Sequence, residues 1–225
     1  HVTKIERVEQ LSSDLAIWDA EVRVERQQAG GQWATLTRIR NVTIVFKDGV
    51  GYDAVNGAAG PYDFPNALVD YVRQEPPEGL HVGNWRGVGH TRNVFVVESV
   101  IDDLAQRAGV DPVEYRRRLL GRSPRSLAVL DLAADKAGWG RKLEKGQGLG
   151  MSVQEGFGSF LATVAQVRVA PDGKLKVERV VCAIDCGVAV NPDIVKAQLM
   201  SGVIFGLSAA LYGKGTVATG RIVGG

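Results

Sequence analysis

The sequence predicts an α+β protein with mixed sheets and packed helices. Strand-like patterns fill the first 50 residues and return after residue 146, whereas helical patterns are grouped between them and near the end of the chain. Helices that are grouped, rather than alternating one by one with strands, favour an α+β fold over a doubly wound parallel sheet. We therefore expect a β-rich segment at 1–50, a loop and helical part at 51–145, and a strand, hairpin and helix part at 146–225.

The first part of the chain has the pattern of half-buried strands. Residues Ala20–Glu25 alternate between apolar and polar, and Asn41–Phe46 is a β-branched run that ends at Asp48–Gly49. From residue 51 to residue 89, glycine and proline are frequent, and only Ala67–Val72 resembles a strand. We expect a long, structured loop there, because its aromatic rings require burial. These aromatic residues are Tyr52, Tyr62, Phe64, Tyr71 and Trp85.

Capping signals predict three helices in the middle of the chain. The first has Thr91 or Asn93 as its candidate cap and ends at Gly109. In the other two, a cap residue is followed by proline, which suits the first turn because an amide hydrogen there would have no partner in the helix. They run from Asp111–Pro112 to about Gly121 and from Ser123–Pro124 to Gly138.

The last third returns to strands and then continues into a long apolar helix. Two predicted strands, Ala165–Val169 and Leu175–Ile184, are joined by the turn signal Pro171–Gly173. The predicted helix is Asn191–Leu211, and Gln198 interrupts its apolar body. Its uninterrupted apolar part is shorter than the roughly 20 residues that span a membrane. We therefore expect a helix in a soluble core and predict no membrane span.

Composition excludes several classes of protein. The net charge of +2 gives no general attraction to nucleic acid or to anionic membranes. Cys182 and Cys186 are the only cysteines, which excludes a disulfide-rich scaffold and a four-cysteine zinc or iron–sulfur site within this chain. We expect both thiols to be buried and structural, and we predict no metal ligand. The first residue, His1, and the strand-like final residues, Arg221–Gly225, lead us to expect a fragment or a processed piece.

The segment Gly83–Gly89 is the first candidate for a ligand site. Three glycines around Arg86 allow the backbone to lie against a ligand, while backbone amides and the guanidinium meet an anion. The alternative is a glycine-rich turn before a helix. Gln198 is the second candidate, because its amide both donates and accepts hydrogen bonds and can therefore hold a buried polar ligand. The alternative for Gln198 is simple exposure to solvent.

The remaining polar motifs favour structural roles. We expect His90 to be a hydrogen-bonded structural residue. Glu155 has the chemistry of a base but no neighbouring residue in sequence that would shift its pKa, so we predict an exposed turn carboxylate. The basic run Arg116–Arg118 follows acidic residues in the same short helix, a charge order that suits the helix dipole and predicts a solvated face. No catalytic residue is predicted.

Several segments occur in an order that one family shares. They are residues 85–90 (Trp-Arg-Gly-Val-Gly-His), 97–105, 111–117, 184–192 (Ile-Asp-Cys-Gly-Val-Ala-Val-Asn-Pro), 197–198 and 201–213. Together they resemble the large subunit of molybdenum hydroxylases, in the xanthine dehydrogenase and aldehyde oxidase superfamily. The branch that they resemble most is the β-subunit of isoquinoline 1-oxidoreductase. The resemblance extends from about Pro61 to Arg221, and motifs linked in one order are more specific than any single motif.

The resemblance implies the fold of the molybdopterin-binding domains of aldehyde oxidase, with residues 51–145 and 146–225 as parts of two such domains. It implies molybdopterin cytosine dinucleotide with molybdenum as cofactor, and hydroxylation of an aldehyde or N-heterocycle with oxygen from water. Iron–sulfur clusters would lie on a small partner subunit, and the bacterial periplasm is favoured over the cytoplasm. The cofactor-binding residues that it implies are Trp85, Arg86, Gly87, Val88 and Gln198.

The chain departs from the family pattern in four places. The Gly-Gly-Phe-Gly and Glu-Met-Gly-Gln-Gly loops have no counterpart, and the Gly-Val-Gly-Glu segment that supplies the general base would lie beyond Gly225. After Gly89 the chain reads His-Thr-Arg-Asn, where the branch reads His-Ser-Gln-Asn, so Arg92 adds a charge. We therefore expect the chain alone to be inactive. The alternative is a non-catalytic interaction or scaffold module that keeps the fold without binding the cofactor.

Overall fold

The computed structural model describes residues 7–12, 15–27, 33–46, 55–66, 69, 78, 83 and 85–223 of the chain. The first three strands are β1 (Arg7–Ser12), β2 (Leu15–Gln27) and β3 (Trp33–Phe46), and they form an antiparallel sheet in that order. The β2–β3 register shifts between Val24 and Glu25, which marks a bulge or irregularity. The β-pattern of the first 50 residues thus corresponds to strands.

The aromatic rings of the loop before the helices differ in burial. The side chain of Tyr62 is buried, and Phe64 packs against the same core. Trp85 is 57% exposed, so the prediction that this ring requires burial is wrong. Tyr52 and Tyr71 lie outside the described residues, as does the predicted strand 67–72 apart from residue 69.

Three helices follow: α1 (Val88–Ala108), α2 (Pro112–Leu119) and α3 (Pro124–Ala137). Helix α1 begins before Thr91, because Gly87, in a left-handed conformation with φ 88°, precedes it as N-cap. The cap predicted for α2 is confirmed, since the Asp111 carboxylate accepts from the amides of Val113 and Glu114. The ends of α1 and α3 fall at Gly109 and Gly138, both left-handed, as predicted.

The second sheet contains β4 (Gln147–Gly156), β5 (Ser159–Val169) and β6 (Leu175–Asp185) in sequence order. Helix α3 covers it, and the shared core includes Leu130, Val153 and Val164, all nearly inaccessible to solvent. Helices packed on an antiparallel sheet confirm the α+β class. The expectation of mixed sheets is not met, because every strand pair that the structure describes is antiparallel.

A buried ion pair joins α1 to α2. The Arg116 side chain is 0% exposed; it contacts Asp102 at 2.6 Å and Glu98 at 3.0 Å. Glu98 also accepts from the Tyr62 hydroxyl at 2.6 Å and from the Val153 amide at 2.8 Å, so the pair ties loop, helices and sheet together. Burial lowers the pKa of Arg116, but Glu98 and its other acidic neighbours outweigh this and raise it. The prediction that this basic run forms a solvated face is therefore wrong at Arg116.

The last helix, α4 (Pro192–Tyr212), begins at Asn191, whose side chain accepts from the amides of Asp193 and Ile194. A short hairpin follows, formed by β7 (Val217–Ala218) and β8 (Arg221–Ile222). No residue of α4 is buried, contrary to the expected core helix. Within the described part of the chain, α4 is the one helix that is long and apolar enough to cross a membrane.

Candidate functional site

A polar cluster forms where the segment before α1 meets α4. The Arg86 guanidinium donates from Nη1 to the Ser201 hydroxyl at 2.9 Å and from Nη2 to the Gln198 amide oxygen at 3.3 Å. The two partners are three residues apart on α4, and residues at this spacing lie on one face of a helix. The two sequence candidates, Arg86 and Gln198, are thus brought into direct contact. We call these three side chains the Arg86 cluster.

An aromatic pair lies beside the Arg86 cluster. Phe205 lies one further turn along the same face of α4, and its ring centroid is 5.4 Å from that of Trp85. The Arg86 Cζ lies 5.5 Å from the Phe205 centroid, within the range of a cation–π contact. Trp85 and Arg86 therefore both contact α4, and Trp85 remains more than half exposed despite this contact.

The backbone after Arg86 takes two uncommon conformations. Gly87 has φ 88°, and a Cβ placed there would lie 2.4 Å from the Thr91 hydroxyl oxygen. That hydroxyl donates to the Arg86 carbonyl at 2.5 Å. Val88 has φ 51°, which is rare for a β-branched residue. Surrounding contacts must hold such a conformation, and it occurs most often at functional sites.

The charge of Arg86 is not neutralised by the described residues around it. Its partners Ser201 and Gln198 are neutral, and Arg86 makes no ion pair with any described residue. They accept two of its five N–H groups, which leaves donors directed at solvent among the described contacts. The first turn of α1 contains no acidic residue. An exposed guanidinium beside uncapped helix amides is suited to bind an anion with several acceptor oxygens.

The other sequence candidates lie apart from the Arg86 cluster. The His90 ring packs on Phe157, and its Nδ1 has no hydrogen-bond partner among the described residues, so the predicted hydrogen bond is not seen. Glu155 is exposed at the end of β4, as predicted. Cys182 and Cys186 are half-buried and unpaired, so full burial is wrong. In the described part of the chain, no three metal-ligating side chains form a group that could hold a metal ion.

A second charged pair is found where β6 ends, and no sequence pattern indicated it. Arg125, in the first turn of α3, donates two hydrogen bonds of 2.7 Å to the Asp185 carboxylate and lies over the Phe160 ring at 4.2 Å. These bonds, with the backbone amide of Gly187, hold the pKa of Asp185 well below its usual range. The pair fixes the start of the loop that leads into α4.

Ser201 and Phe205 are site residues that the sequence reasoning did not single out. Their signal was present, because they follow Gln198 by three and seven residues, and a helix places these positions on one face. That Arg86 contacts this face of α4 could not be predicted from the sequence, because Arg86 and Gln198 are 112 residues apart.

Two parts of the chain match known families. Residues 41–120 and residues 126–224 match two families that are each described as a molybdopterin cofactor-binding domain. The chain belongs to the molybdenum hydroxylase family. Arg86 lies in the first of these matched regions, and Gln198 and Ser201 lie in the second. The Arg86 cluster therefore joins the two cofactor-binding regions of this family member.

The curated relatives are bacterial oxidoreductases. The β-subunit of isoquinoline 1-oxidoreductase from Brevundimonas diminuta is 36% identical over 73% of this chain and 21% of its own length. A nicotinate dehydrogenase subunit from Pseudomonas putida is 36% identical over 67% of this chain and 14% of its own length. A protein of Gluconacetobacter polyoxogenes named membrane-bound aldehyde dehydrogenase [pyrroloquinoline-quinone] is 27% identical over 92% of this chain and 30% of its own length. The chain thus spans under a third of these relatives, and no solved structure matches it significantly.

Proposed function

We propose that the chain is part of the cofactor-bearing subunit of a molybdenum-dependent oxidoreductase. The reaction is hydroxylation of an aldehyde or an N-heterocycle with oxygen derived from water. The observation that supports this most strongly is the Arg86 cluster, in which a cation with no carboxylate partner among the described residues bridges two regions that match molybdopterin cofactor-binding domains. In line with the sequence division, residues 51–145 and 146–225 are parts of the two domains, and residues 1–50 are unassigned.

The residues present are compatible with a pterin cofactor. The remaining N–H groups of Arg86 suit an anionic group, and the Gln198 amide can donate and accept at the edge of a heterocycle. Trp85, Gly87 and Val88 complete the cofactor-binding set by bringing backbone close to it. When bound, molybdopterin cytosine dinucleotide supplies the redox chemistry of molybdenum. The chain's own residues bind and orient it.

The proposed substrate class and partner are supported by the names of the relatives and not by any residue of the Arg86 cluster. The names of the relatives include an isoquinoline oxidoreductase subunit, a nicotinate dehydrogenase subunit and an aldehyde dehydrogenase, which together cover N-heterocycles and aldehydes. Subunit names imply assembly with other chains. We propose a small iron–sulfur subunit as the partner that removes electrons, and the bacterial periplasm as the location.

Helix α4 packs against protein in this proposal and does not cross a membrane. Gln198 and Ser201 lie in its second and third turns and hold the Arg86 guanidinium there. A bilayer about 30 Å thick requires about 20 apolar residues, so these polar groups would lie inside the hydrocarbon. A charged side chain at that depth is costly. The exposed apolar surface of α4 is instead suited to contact other protein of the same subunit.

The chain by itself binds the cofactor weakly and does not hydroxylate. Among the described residues we consider Glu155 as a stand-in base, and it is an exposed carboxylate at the end of β4, away from the Arg86 cluster. The rival proposal is a scaffold module that keeps the fold and binds no pterin. The exposed apolar surface of α4 is compatible with that rival as well as with contact to other protein of the same subunit.

Both proposals are tested by expressing the chain in a bacterium that makes the cofactor and measuring how much cofactor the purified chain holds. Molybdenum per chain is measured by mass spectrometry, and oxidised pterin is measured by its fluorescence, with a host that cannot make the cofactor as control. We expect substoichiometric molybdenum and pterin in the first host alone. Equal background in both hosts would support the scaffold module. Turnover of isoquinoline or an aldehyde with a dye acceptor, lost in Glu155→Gln, would contradict the inactivity of the isolated chain.

A further inference from the structure

The His90 imidazole lies where three segments of the chain meet. It belongs to the first turn of α1, and its ring centroid is 5.1 Å from that of Phe157, at the tip of the β4–β5 hairpin. The third segment is the loop before the helices, where a Cβ placed on Gly57 would lie 3.0 Å from the His90 Cδ2. Since Nδ1 has no hydrogen-bond partner in the described part of the chain, packing holds the ring in place.

Gly156 is the residue that makes room for this ring. A Cβ at position 156 would lie 2.8 Å from Nε2 and 3.0 Å from Cδ2 of His90, and the contact with Nε2 is too short to form unless the ring or the backbone shifts. Gly156 does not have a positive φ, so its backbone accepts any L-residue. The obstacle to a side chain here is therefore the His90 ring and not backbone strain. Two residues 66 positions apart in the numbering fit one another.

The turn that carries His90 follows directly after Arg86. No side chain caps the N-terminus of α1, and the local contacts there are the Val88 amide to the Trp85 carbonyl at 2.9 Å and the Thr91 hydroxyl to the Arg86 carbonyl. Contacts outside the turn must maintain the left-handed Val88. The His90 ring is such a contact, because it presses this turn against the hairpin.

We propose that His90 is a positioning residue: through its fit to Gly156 it fixes residues 85–88, here called the Arg86 loop, against the β4–β5 hairpin. The proposal rests on the proposed function in one respect, because the position of Arg86 matters only if Arg86 binds the cofactor. The position of the loop can nevertheless be measured without any ligand. The His90 ring packs on exposed Phe157 of the hairpin, and the His90 backbone belongs to the turn that follows Arg86. We therefore expect a side chain at position 156 that displaces the ring to displace the Arg86 guanidinium as well.

Fluorine NMR of the chain labelled with 5-fluorotryptophan tests the proposal, because Trp85 is next to Arg86. The four tryptophans give four resonances, and Trp85→Phe assigns the one that matters. We expect Gly156→Ala to shift or split the Trp85 resonance. On the His90→Ala background, where the space is free, Gly156→Ala should have no further effect on it. Val129→Ala, a core change in α3, is the control that lowers stability without moving the Trp85 resonance.

An unchanged Trp85 resonance in Gly156→Ala would overturn the proposal, as would an equal effect of Gly156→Ala with and without His90. Should His90→Ala fail to fold, His90→Asn provides the smaller side chain for the same comparison. If neither folds, Gly156→Ala decides alone, since only a shift larger than that of Val129→Ala supports the proposal. If the wild-type chain binds no cofactor while the expected NMR coupling between His90 and Gly156 is found, the proposed function is refuted and the positioning role stands.

Discussion

The guanidinium of Arg86 and the side-chain amide of Gln198 meet at 3.3 Å, although 112 positions separate them in the sequence. Ser201 accepts a second hydrogen bond from the same guanidinium at 2.9 Å. None of the three has a carboxylate partner among the described ion pairs, so the cluster presents a net positive charge. This arrangement is the basis of the proposed cofactor site.

Gln198→Glu should reduce cofactor loading more than Gln198→Leu does. The carboxylate would pair with Arg86 in place of the amide and repel an anionic ligand, whereas leucine removes the hydrogen bonds of the amide but adds no charge. Pterin content per chain, measured in the cofactor-producing host, checks the order of the two variants. Because an exposed ion pair contributes about 0–1 kcal/mol, the unfolding free energy should change little. Equal or higher loading in Gln198→Glu would contradict the anionic ligand.

Arg116→Met should destabilise the chain by about 3–5 kcal/mol, because it leaves the buried Glu98 carboxylate without its charged partner. Urea denaturation followed by circular dichroism measures the loss. Arg118→Ala is the matched control on the same helix, since its ion pair with Glu114 is exposed and is expected to contribute about 0–1 kcal/mol. A loss at Arg116 no larger than at Arg118 would contradict the burial of this pair.

The Arg125–Asp185 pair predicts a specific loss of stability in acid. Hydrogen bonds from Arg125, then from the Gly187 amide, lower the folded-state pKa of Asp185 below its unfolded value of about 3.9. Its contribution is therefore complete above about pH 5 and is lost as the pH falls through the folded-state pKa. Thermal midpoints of wild type and Arg125→Ala should differ at pH 7, and the difference should shrink as the pH falls from about 4 toward the folded-state pKa of Asp185. A constant difference across this range would contradict the account.

Gly87→Ala should destabilise the Arg86 loop by about 1–2 kcal/mol, because the position is left-handed and a Cβ would displace the Thr91 hydroxyl from the Arg86 carbonyl. Gly150→Ala in β4 is the control, since a Cβ there meets nothing within 4 Å. Its unfolding free energy should stay within about 0.5 kcal/mol of wild type. Similar losses in the two variants would show that conformation at Gly87 does not matter.

Local chemistry explains which parts of the fold could be predicted from the sequence. The Asp111 and Asn191 caps and the glycine ends at Gly109 and Gly138 depend on neighbouring residues alone, and all four are found. Burial of Arg116 could not be predicted, because it depends on how α1 lies against α2.

The same distinction holds for the candidate site. Arg86 and Gln198 could each be selected because an arginine among glycines, or an amide on an apolar helix, is locally unusual. Their contact depends on where α4 lies, which no local pattern contains. The contact of Trp85 with Phe205 could not be predicted for the same reason, since it also depends on where that helix lies.

The most direct test of the central claim is the pterin and molybdenum content of Arg86→Ala relative to wild type. Loss of a charge-assisted hydrogen bond costs about 1.5–3 kcal/mol, or about 10- to 150-fold in affinity. Arg107→Ala is the matched control, because it removes an exposed arginine of α1 that pairs only with Asp103 among the described residues. The account predicts strongly reduced loading in Arg86→Ala and wild-type loading in Arg107→Ala. Wild-type loading in both would remove Arg86 from the cofactor site.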